Sequence, residues 1–320
     1  MLWGKMDGDR IRVGVIGAGV MGYHHARVYA RQKNVELIGI CDVHAGRAAG
    51  LARRHGVAAF TNLKDLLALK PRAVSIATPT LTHREVAMAC AAQGTDILLE
   101  KPIAASLDDA QAILGACSRN GVKLMVGFVE RFNPVIESIR KAIEGDSVIS
   151  IDITRVGPLP PRVSDVGVII DLATHDIDLI LHLTGKDVKR VHALCAKTFR
   201  ELEDSAMLSF EMENGVMAHV TVNWVTPFKT RKIQIATPEK FLEGDLLNGT
   251  LYSYSTYESD NSYVMSRIPV SGGEPLEAEI RAFLDYVRNG GESPVWGDDA
   301  CRVLEVACAC LESAEAMEKI

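Results

Sequence analysis

The sequence lacks a long apolar run, an excess of basic residues and a zinc-type cysteine pattern. No stretch approaches the ~18 apolar residues that a membrane-spanning helix needs, and the first ten residues lack the apolar centre of a signal peptide. A formal net charge of −6 argues against nucleic acid or an anionic membrane as the main partner. The seven cysteines are odd in number and scattered. We therefore expect free thiols in a cytoplasmic protein, without a metal site.

What is present is typical of a globular enzyme with more than one domain. A chain of 320 residues exceeds a comfortable single core, so two domains are the default. The hydrophobic share of 48% and the charged share of 24% are ordinary for such proteins.

The stretch from Arg12 to Asp42 has the pattern of a dinucleotide-binding unit. A β-branched run over residues 11–16 breaks into a glycine loop and then into a helix-prone segment. Gly17 allows a tight turn, Gly19 lets the backbone approach a pyrophosphate, and Gly22 lets the helix pack closely. Asp42 ends the next apolar run, 20 residues past the last glycine. A glycine-rich turn in another α/β protein is the alternative, and this combined context makes it the weaker one.

Asp42 also selects between the nicotinamide cofactors. A carboxylate at this position accepts hydrogen bonds from the adenosine ribose and repels a 2′-phosphate. Arg47 is the nearest following arginine and lies too far along the chain to be an obvious phosphate ligand. The sequence therefore predicts NAD as the cofactor.

The alternation of helical and strand patterns continues to residue 127. It predicts an N-terminal Rossmann domain over residues 1–127, a doubly wound parallel sheet whose ligands lie at the carboxyl ends of its strands. Beyond it, strand patterns follow one another with few helices, and Asn214-Gly215 is a hairpin signal. We therefore expect a C-terminal α/β domain over residues 128–320 with a largely antiparallel, open sheet.

Lys101 is a candidate catalytic residue, in the sequence Glu100-Lys101-Pro102 at a predicted strand end. Pro102 restricts the backbone, so the lysine projects from a rigid corner and can stabilise a developing oxyanion. A surface lysine in a strand-exit turn is an equally good interpretation of these residues alone.

The second candidate is the pair Asp171 and His175, at i and i+4 of a predicted helix over 167–183. Such a carboxylate can orient an imidazole that removes a hydroxyl proton. A salt-bridge cluster on a helix is the alternative. A zinc site with Asp178 is disfavoured because no cysteine or second histidine has suitable spacing.

Arg155 and Arg162 flank a proline-rich loop, and Lys229, Arg231 and Lys232 form a second basic cluster. In an acidic protein, two local basic patches indicate a phosphate-bearing substrate. Solvated charge is the alternative for any one of these residues.

These motifs resemble the glucose–fructose oxidoreductase / inositol dehydrogenase / rhizopine catabolism family along essentially the whole chain. The resemblance rests on these segments: the glycine loop with Asp42, residues 77–80 with His83, Glu100-Lys101-Pro102, residues 127–128 with Arg131-Phe132, and Asp171 through Asp178. It implies oxidation of a sugar or cyclitol hydroxyl by NAD(P), with Lys101, Asp171 and His175 at the reaction centre. It also implies a homo-oligomer, a dimer or tetramer.

Residues 127–134 and 155–167 resemble the branch of this family that oxidises the 3-hydroxyl of UDP-N-acetylglucosamine, whose product is aminated for lipid A-type glycans. A nucleotide sugar is therefore the expected substrate. The expected cofactor contacts are Gly17, Gly19, Val20, Met21, Gly22, Asp42, Thr78, Thr80, His83, Glu100 and Lys101; the expected substrate contacts are Lys101, Arg155, Arg162, Asp171 and His175. The alternatives are an inositol or free-sugar dehydrogenase and a non-catalytic NAD-binding regulator.

Overall fold

The computed structural model describes residues 10–159, 166–256 and 262–317. By its internal contacts the chain forms two compact units, the first made of residues up to Gly127 together with Leu276–Cys301, the second of Phe128–Pro275 and the residues from Arg302 onward. The segment Leu276–Cys301 thus belongs to the first unit, whereas the sequence-based division placed it in the second. That segment is helical and buries an apolar face, a pattern that does not reveal which domain it packs against.

The first unit is built on a parallel sheet. Its strands are β1 (Ile11–Ile16), β2 (Val35–Cys41), β3 (Ala58–Phe60), β4 (Ala73–Ile76), β5 (Asp96–Glu100) and β6 (Leu124–Gly127). Between them lie helices α1 (Val20–Tyr29), α2 (Ala45–His55), α3 (Leu63–Ala68), α4 (His83–Ala92) and α5 (Leu107–Arg119).

The strand order β3-β2-β1-β4-β5-β6 confirms the predicted doubly wound fold, and all its pairs are parallel. Every residue of β4 and of β5 is buried, as expected where helices cover both faces of a sheet. The order reverses between β1 and β4. This is the switch point at which such sheets bind ligands.

The second unit is built on a mostly antiparallel sheet. Its strands are β7 (Ser150–Pro158), β8 (Val188–Ala196), β9 (Ser205–Met212), β10 (Met217–Asn223), β11 (Val225–Ala236), β12 (Lys240–Asp245), β13 (Thr250–Ser255) and β14 (Met265–Ile268). Its helices are α6 (Pro134–Ala142) and α7 (Thr174–Thr184), the latter preceded by a π-helical turn over Ile169–Ala173. Helices α8 (Pro275–Asn289) and α9 (Gly297–Met317) end the described chain.

This sheet has the order β14-β13-β12-β11-β7-β10-β9-β8. The hairpin at Asn214-Gly215 is confirmed: Gly215 has a φ of 83°, and β9 and β10 pair antiparallel across it. One pair, β7 with β10, is parallel. One face of the sheet carries buried side chains such as Ile151, Val220 and Ile235, and the other face carries polar and exposed ones.

In the described part of the chain, no helix is long and apolar enough to cross a membrane. Over the same residues, no group of three or more histidines, cysteines or acids is arranged to hold a metal ion. All seven cysteines are free thiols.

Candidate active site

The glycine loop between β1 and α1 is shaped by close backbone contacts. Gly17 has a φ of 94°, which side-chain-bearing residues rarely adopt, and a Cβ there would overlap the carbonyl oxygen of Ala77. A Cβ on Gly22 would overlap the carbonyl oxygen of Gly17. Around Gly19, by contrast, a Cβ would meet no protein atom within 4 Å. The loop is thus tight on its inner side and open where a pyrophosphate would lie.

Helix α1 presents its positive end to that open space. Its N-cap is Gly19, which has no side chain to occupy the first N–H groups, and Val20 and Met21 begin the first turn. Free N–H groups and the helix dipole favour phosphate at such a terminus. These residues fit a dinucleotide, and their contacts to it stay a prediction.

Asp42 is held in place by the backbone at the end of β2. Its Oδ2 accepts a hydrogen bond from the N–H of Ala18 (2.7 Å), and its Oδ1 accepts one from the N–H of His44 (2.8 Å). Each carboxylate oxygen keeps a lone pair for a further donor. The fixed carboxylate beside the glycine loop therefore suits two ribose hydroxyls.

A pocket of about 860 Å³ lies beside the glycine loop and includes residues that sequence reasoning missed. Ala18 lines it together with Tyr23, Arg47 and Arg54, and the Arg54 guanidinium lies 5.7 Å from the centre of the Tyr23 ring. Tyr23 lies in α1, and Arg47 and Arg54 lie in α2. Their convergence depends on helix packing, for which the local sequence carries no signal.

His83 has a structural contact that differs from its expected role as a cofactor ligand. It is 1% exposed; its Nδ1 lies 3.0 Å from the carbonyl oxygen of Pro102 and its Nε2 lies 3.0 Å from that of Thr78. Burial lowers the pKa of His83. Both ring nitrogens face backbone carbonyl oxygens inside the first unit, and a cofactor contact by His83 stays a prediction.

Thr78 and Thr80 lie in the loop after β4. The Thr82 hydroxyl donates hydrogen bonds to the Thr78 hydroxyl (2.8 Å) and to the carbonyl oxygen of Pro79 (2.7 Å), which fixes the loop. Cofactor contacts by Thr78 and Thr80 stay predictions.

The Glu100-Lys101-Pro102 corner follows β5. Glu100 is 9% exposed and its Oε1 is 2.9 Å from Nε2 of His25, so this carboxylate oxygen is directed into the unit. Lys101 is half-buried, and the peptide bond between Lys101 and Pro102 is cis. A role of Glu100 toward the cofactor stays a prediction, and the same holds for Lys101.

In the second unit, Asp171 lies in the π-helical turn and His175 lies in the first turn of α7. The predicted continuous α-helix is therefore wrong at its start. Both residues are half-buried. Turns of the π type often occur at functional sites.

Glu203 supports the beginning of this helix, and sequence reasoning missed it. The N–H of Ile169 donates to Glu203 Oε1 (3.2 Å), and the N–H of Val168 donates to the Glu203 carbonyl oxygen (3.0 Å). A Cβ on Gly167 would overlap the Glu203 carboxylate. The distance of 34 residues to Ile169 hides this cap in the sequence.

Asp178 and Asp176, which follow His175, attach α7 to the rest of the unit. Arg131 donates to Asp178 through Nε (2.9 Å) and Nη2 (2.6 Å). Arg155 donates to Asp176 through Nε (2.9 Å), and its Nη2 lies 2.8 Å from Asp176 Oδ1 in an ion-pair contact. Arg131, in the segment after β6, therefore holds α7 in place through Asp178.

Arg155 is consequently engaged by two carboxylates, and a contact from it to a diphosphate stays a prediction. It is 3% exposed, and it also donates to Glu130 Oε1 at 2.9 Å. Although burial acts against the charge of Arg155, its two carboxylate partners raise its pKa above the ordinary value. Burial alone would raise the pKa of Glu130, but Arg155 and Arg231 lower it below its usual range. Arg162 lies outside the described residues.

Comparison with known proteins gives the same outline. Residues 11–128 match the model of an oxidoreductase family with an NAD-binding Rossmann fold, and residues 155–241 match a GFO/IDH/MocA C-terminal domain. UDP-N-acetylglucosamine 3-dehydrogenase from Acidithiobacillus ferrooxidans is 32% identical over 96% of this chain and 98% of its own length. Its solved structure has a TM-score of 0.89, at 31% identity, covering 96% of this chain and 98% of that one. The NAD⁺-dependent scyllo-inositol 2-dehydrogenase of Bacillus subtilis is 28% identical over 95% and 94% of the two chains.

Proposed function

Because the chain belongs to the glucose–fructose oxidoreductase / inositol dehydrogenase / rhizopine catabolism (GFO/IDH/MocA) family of NAD-binding oxidoreductases, we propose that it oxidises the 3-hydroxyl of UDP-N-acetylglucosamine to a ketone. The observation that carries this proposal is the full-length similarity to UDP-N-acetylglucosamine 3-dehydrogenase. Inositol dehydrogenases match at somewhat lower identity, which makes a cyclitol the second candidate.

In this proposal three residues carry the chemistry. Bound NAD supplies the acceptor for the hydride that leaves the substrate carbon. His175 removes the proton of the hydroxyl as the carbonyl forms, and Asp171 orients the imidazole. Lys101 donates a hydrogen bond to the same oxygen and stabilises the negative charge that develops there.

Because Arg155 is buried, we consider Lys229 as a residue that could bind the diphosphate. It is exposed on β11, and its side chain packs against Gly157 near the end of β7. The residues that follow β7 in the chain lead to the π-helical turn that contains Asp171. Arg231 is half-exposed and bonded to Glu130 (3.0 Å), which partly offsets its charge. We propose that Lys229 contacts the diphosphate together with Arg162.

The decisive measurement compares UDP-N-acetylglucosamine with free N-acetylglucosamine and myo-inositol at equal concentration. We expect NAD reduction with the nucleotide sugar at a kcat/KM higher by roughly 10²-fold or more, because the diphosphate contributes binding remote from the reacting carbon. Equal turnover of a free sugar or of inositol would leave only the general sugar dehydrogenase. An absence of turnover with all three would favour a regulator.

Charge reversal at Lys229 tests the diphosphate contact. Lys229→Glu is expected to raise KM for UDP-N-acetylglucosamine by roughly tenfold, with little change in NAD affinity. Lys189→Glu on exposed β8 is the matched control, and it should leave KM unchanged. An unaltered KM in Lys229→Glu would show that Lys229 does not contact the diphosphate.

Cofactor choice should depend on Asp42. Wild-type protein is expected to bind NAD much more tightly than NADP, and Asp42→Ser should narrow the difference by removing the ribose contacts and the repulsion of a 2′-phosphate. Asp65→Ser, in the first turn of α3, is the control. Fluorescence titration with both cofactors measures the ratio; a wild-type preference for NADP would contradict this role.

We also propose that a second copy of the chain covers the exposed face of the second unit's sheet. Met207, Met217 and Met265 on this face are 53%, 59% and 59% exposed, and Leu194 beside Met207 is 56% exposed. Leu194, Met207 and Met217 lie on the adjacent strands β8, β9 and β10, and exposed apolar side chains on adjacent strands are typical of an interface. Light scattering should give a multiple of 34.8 kDa, and Met217→Asp should reduce it; a monomeric wild-type protein would refute the proposal.

A further inference from the structure

The corner that carries Lys101 is flanked by two buried histidines from different helices. His25, in the second turn of α1, bonds to Glu100 through Nε2 (2.9 Å). His83, the first residue of α4, contacts the carbonyl oxygen of Pro102 through Nδ1 (3.0 Å). The two imidazoles are 0% and 1% exposed. The residue before Lys101 and the residue after it are therefore each bonded to a different histidine.

His25 belongs to a longer hydrogen-bonded chain. Its Nδ1 is 2.9 Å from the Ser75 hydroxyl, which is 2.8 Å from the Tyr29 hydroxyl. Burial raises the pKa of Tyr29, so its hydroxyl keeps its proton. All contacts are satisfied when Tyr29 donates to Ser75, Ser75 donates to Nδ1, and the Nε2–H donates to Glu100. This polarity fixes the ring of His25 against the Glu100 carboxylate without requiring a charged imidazole.

His83 connects the corner to a second loop of the cofactor edge. Its Nε2 is 3.0 Å from the carbonyl oxygen of Thr78, and its Nδ1 contacts Pro102. Each nitrogen of the ring thus faces a different loop, one after β4 and one after β5. A neutral imidazole carries one N–H, so the ring donates to one of these carbonyl oxygens and only contacts the other.

We propose that His25 and His83 are positioning residues for Lys101, with His83 in the tautomer whose Nδ1–H donates to Pro102. A lysine has a flexible four-carbon stem, so the placement of its ammonium group depends on a fixed backbone origin. Misplacement of a reacting group by ~1 Å can cost ~10²-fold in rate. The two histidines fix this origin from both sides. The effect on turnover rests on the proposed role of Lys101, whereas the effect on Lys101 itself does not.

Replacing each histidine with Asn and, separately, with Gln distinguishes the contact made by Nδ1 from the contact made by Nε2. Glutamine places its amide group near the position of Nε2, and asparagine near that of Nδ1; the amide nitrogen replaces a donating ring nitrogen and the amide oxygen an accepting one. His25→Gln therefore keeps the bond to Glu100, whereas His25→Asn keeps only the bond to Ser75. At His83 the order is reversed, because Asn keeps the contact to Pro102 and Gln keeps the contact to Thr78.

If the histidines position Lys101, the amide residue that best preserves kcat is Gln at position 25 and Asn at position 83. We expect kcat to fall at least ~10-fold in His25→Asn and His83→Gln but less than ~3-fold in His25→Gln and His83→Asn. The Kd for NAD should stay within about twofold in all four variants, and melting temperatures show whether each variant is folded.

A measurement without substrate keeps this test independent of the proposed function. Lysines are methylated with ¹³C-formaldehyde, and the NMR signal of Lys101 is assigned by its absence in Lys101→Met. We expect this signal to move in His25→Asn and His83→Gln and to stay in place in the other pair. His55→Gln, at the end of α2 on the opposite edge of the sheet, is the control and should not move it. Moving signals without turnover of any sugar would refute the proposed function alone.

The opposite result has a clear form. Equal losses for Asn and Gln at each site, in step with the melting temperature and with an unchanged Lys101 signal, would show that the histidines only stabilise the fold. If a histidine variant does not fold, Glu100→Gln, which keeps an acceptor for His25, is compared with Glu100→Ala. An identical Lys101 signal in these two proteins would likewise overturn the proposal.

Discussion

Replacing Lys101 with Met, or His175 with Ala, is expected to lower kcat by roughly 10²-fold or more, with NAD affinity within about twofold of wild type. Methionine keeps the length of the lysine stem but cannot donate a hydrogen bond to the substrate oxygen. Alanine removes the base that accepts the hydroxyl proton. The proposed contacts to the pyrophosphate and ribose lie at the glycine loop and Asp42, so cofactor binding should persist. Initial rates of NADH formation and a cofactor titration measure the two quantities.

Two controls distinguish chemistry from general damage. Lys64→Met, on the exposed start of α3, and His55→Ala, at the end of α2, remove the same groups from positions outside the proposed sites and should leave kcat unchanged. Asp171→Asn should retain cofactor binding and shift the pH–rate profile, because the imidazole loses its charged partner. Near-wild-type turnover in either Lys101→Met or His175→Ala would refute the assignment.

The features that sequence patterns could predict are those determined by local sterics and periodicity. Gly17 needs a positive φ, and Gly22 has no room for a side chain. Both demands act within one strand–loop–helix unit, so the spacing of the glycines shows them. The alternation of strands and helices predicted the parallel sheet because each crossover connection requires it.

The contacts that sequence patterns could not reveal join residues distant in the chain. Arg155 follows a strand and precedes a proline-rich loop, which is typical of an exposed cation. Its partners Asp176 and Glu130 lie 21 and 25 positions away and become visible only when β7 and α7 pack together. The contact of His83 with Pro102 is hidden for the same reason, since Pro102 is 19 residues away. The π-helical turn, too, leaves no periodic signature in so short a segment.

Arg155→Met is expected to destabilise the second unit by about 3–5 kcal/mol, the usual loss when one partner of a buried ion pair is removed. The Asp176 carboxylate is fully buried, and Arg155 supplies both of its short charged contacts. Glu130 keeps Arg231 and Asn133 as donors, so most of the loss should arise at Asp176. Urea unfolding measures the change in the free energy of unfolding. Arg281→Met, which breaks an exposed i,i+4 pair with Glu277 on α8, is the control and should have little effect.

The cause of that loss can be isolated by a second substitution and by pH. Arg155→Met combined with Asp176→Asn should recover part of the free energy, because an amide is far less costly to bury without a cation than a carboxylate. The difference between wild type and Arg155→Met should also narrow as the pH falls below about 5. Burial already raises the pKa of Asp176, and loss of its cation should raise it further, so the penalty for the unpaired carboxylate shrinks as the pH falls toward its unfolded pKa. Native Glu130 has a lowered pKa, so its stabilisation is complete above its unfolded pKa and is lost as that carboxylate becomes protonated. A raised KM for the nucleotide sugar with unchanged stability would instead assign Arg155 to the substrate site.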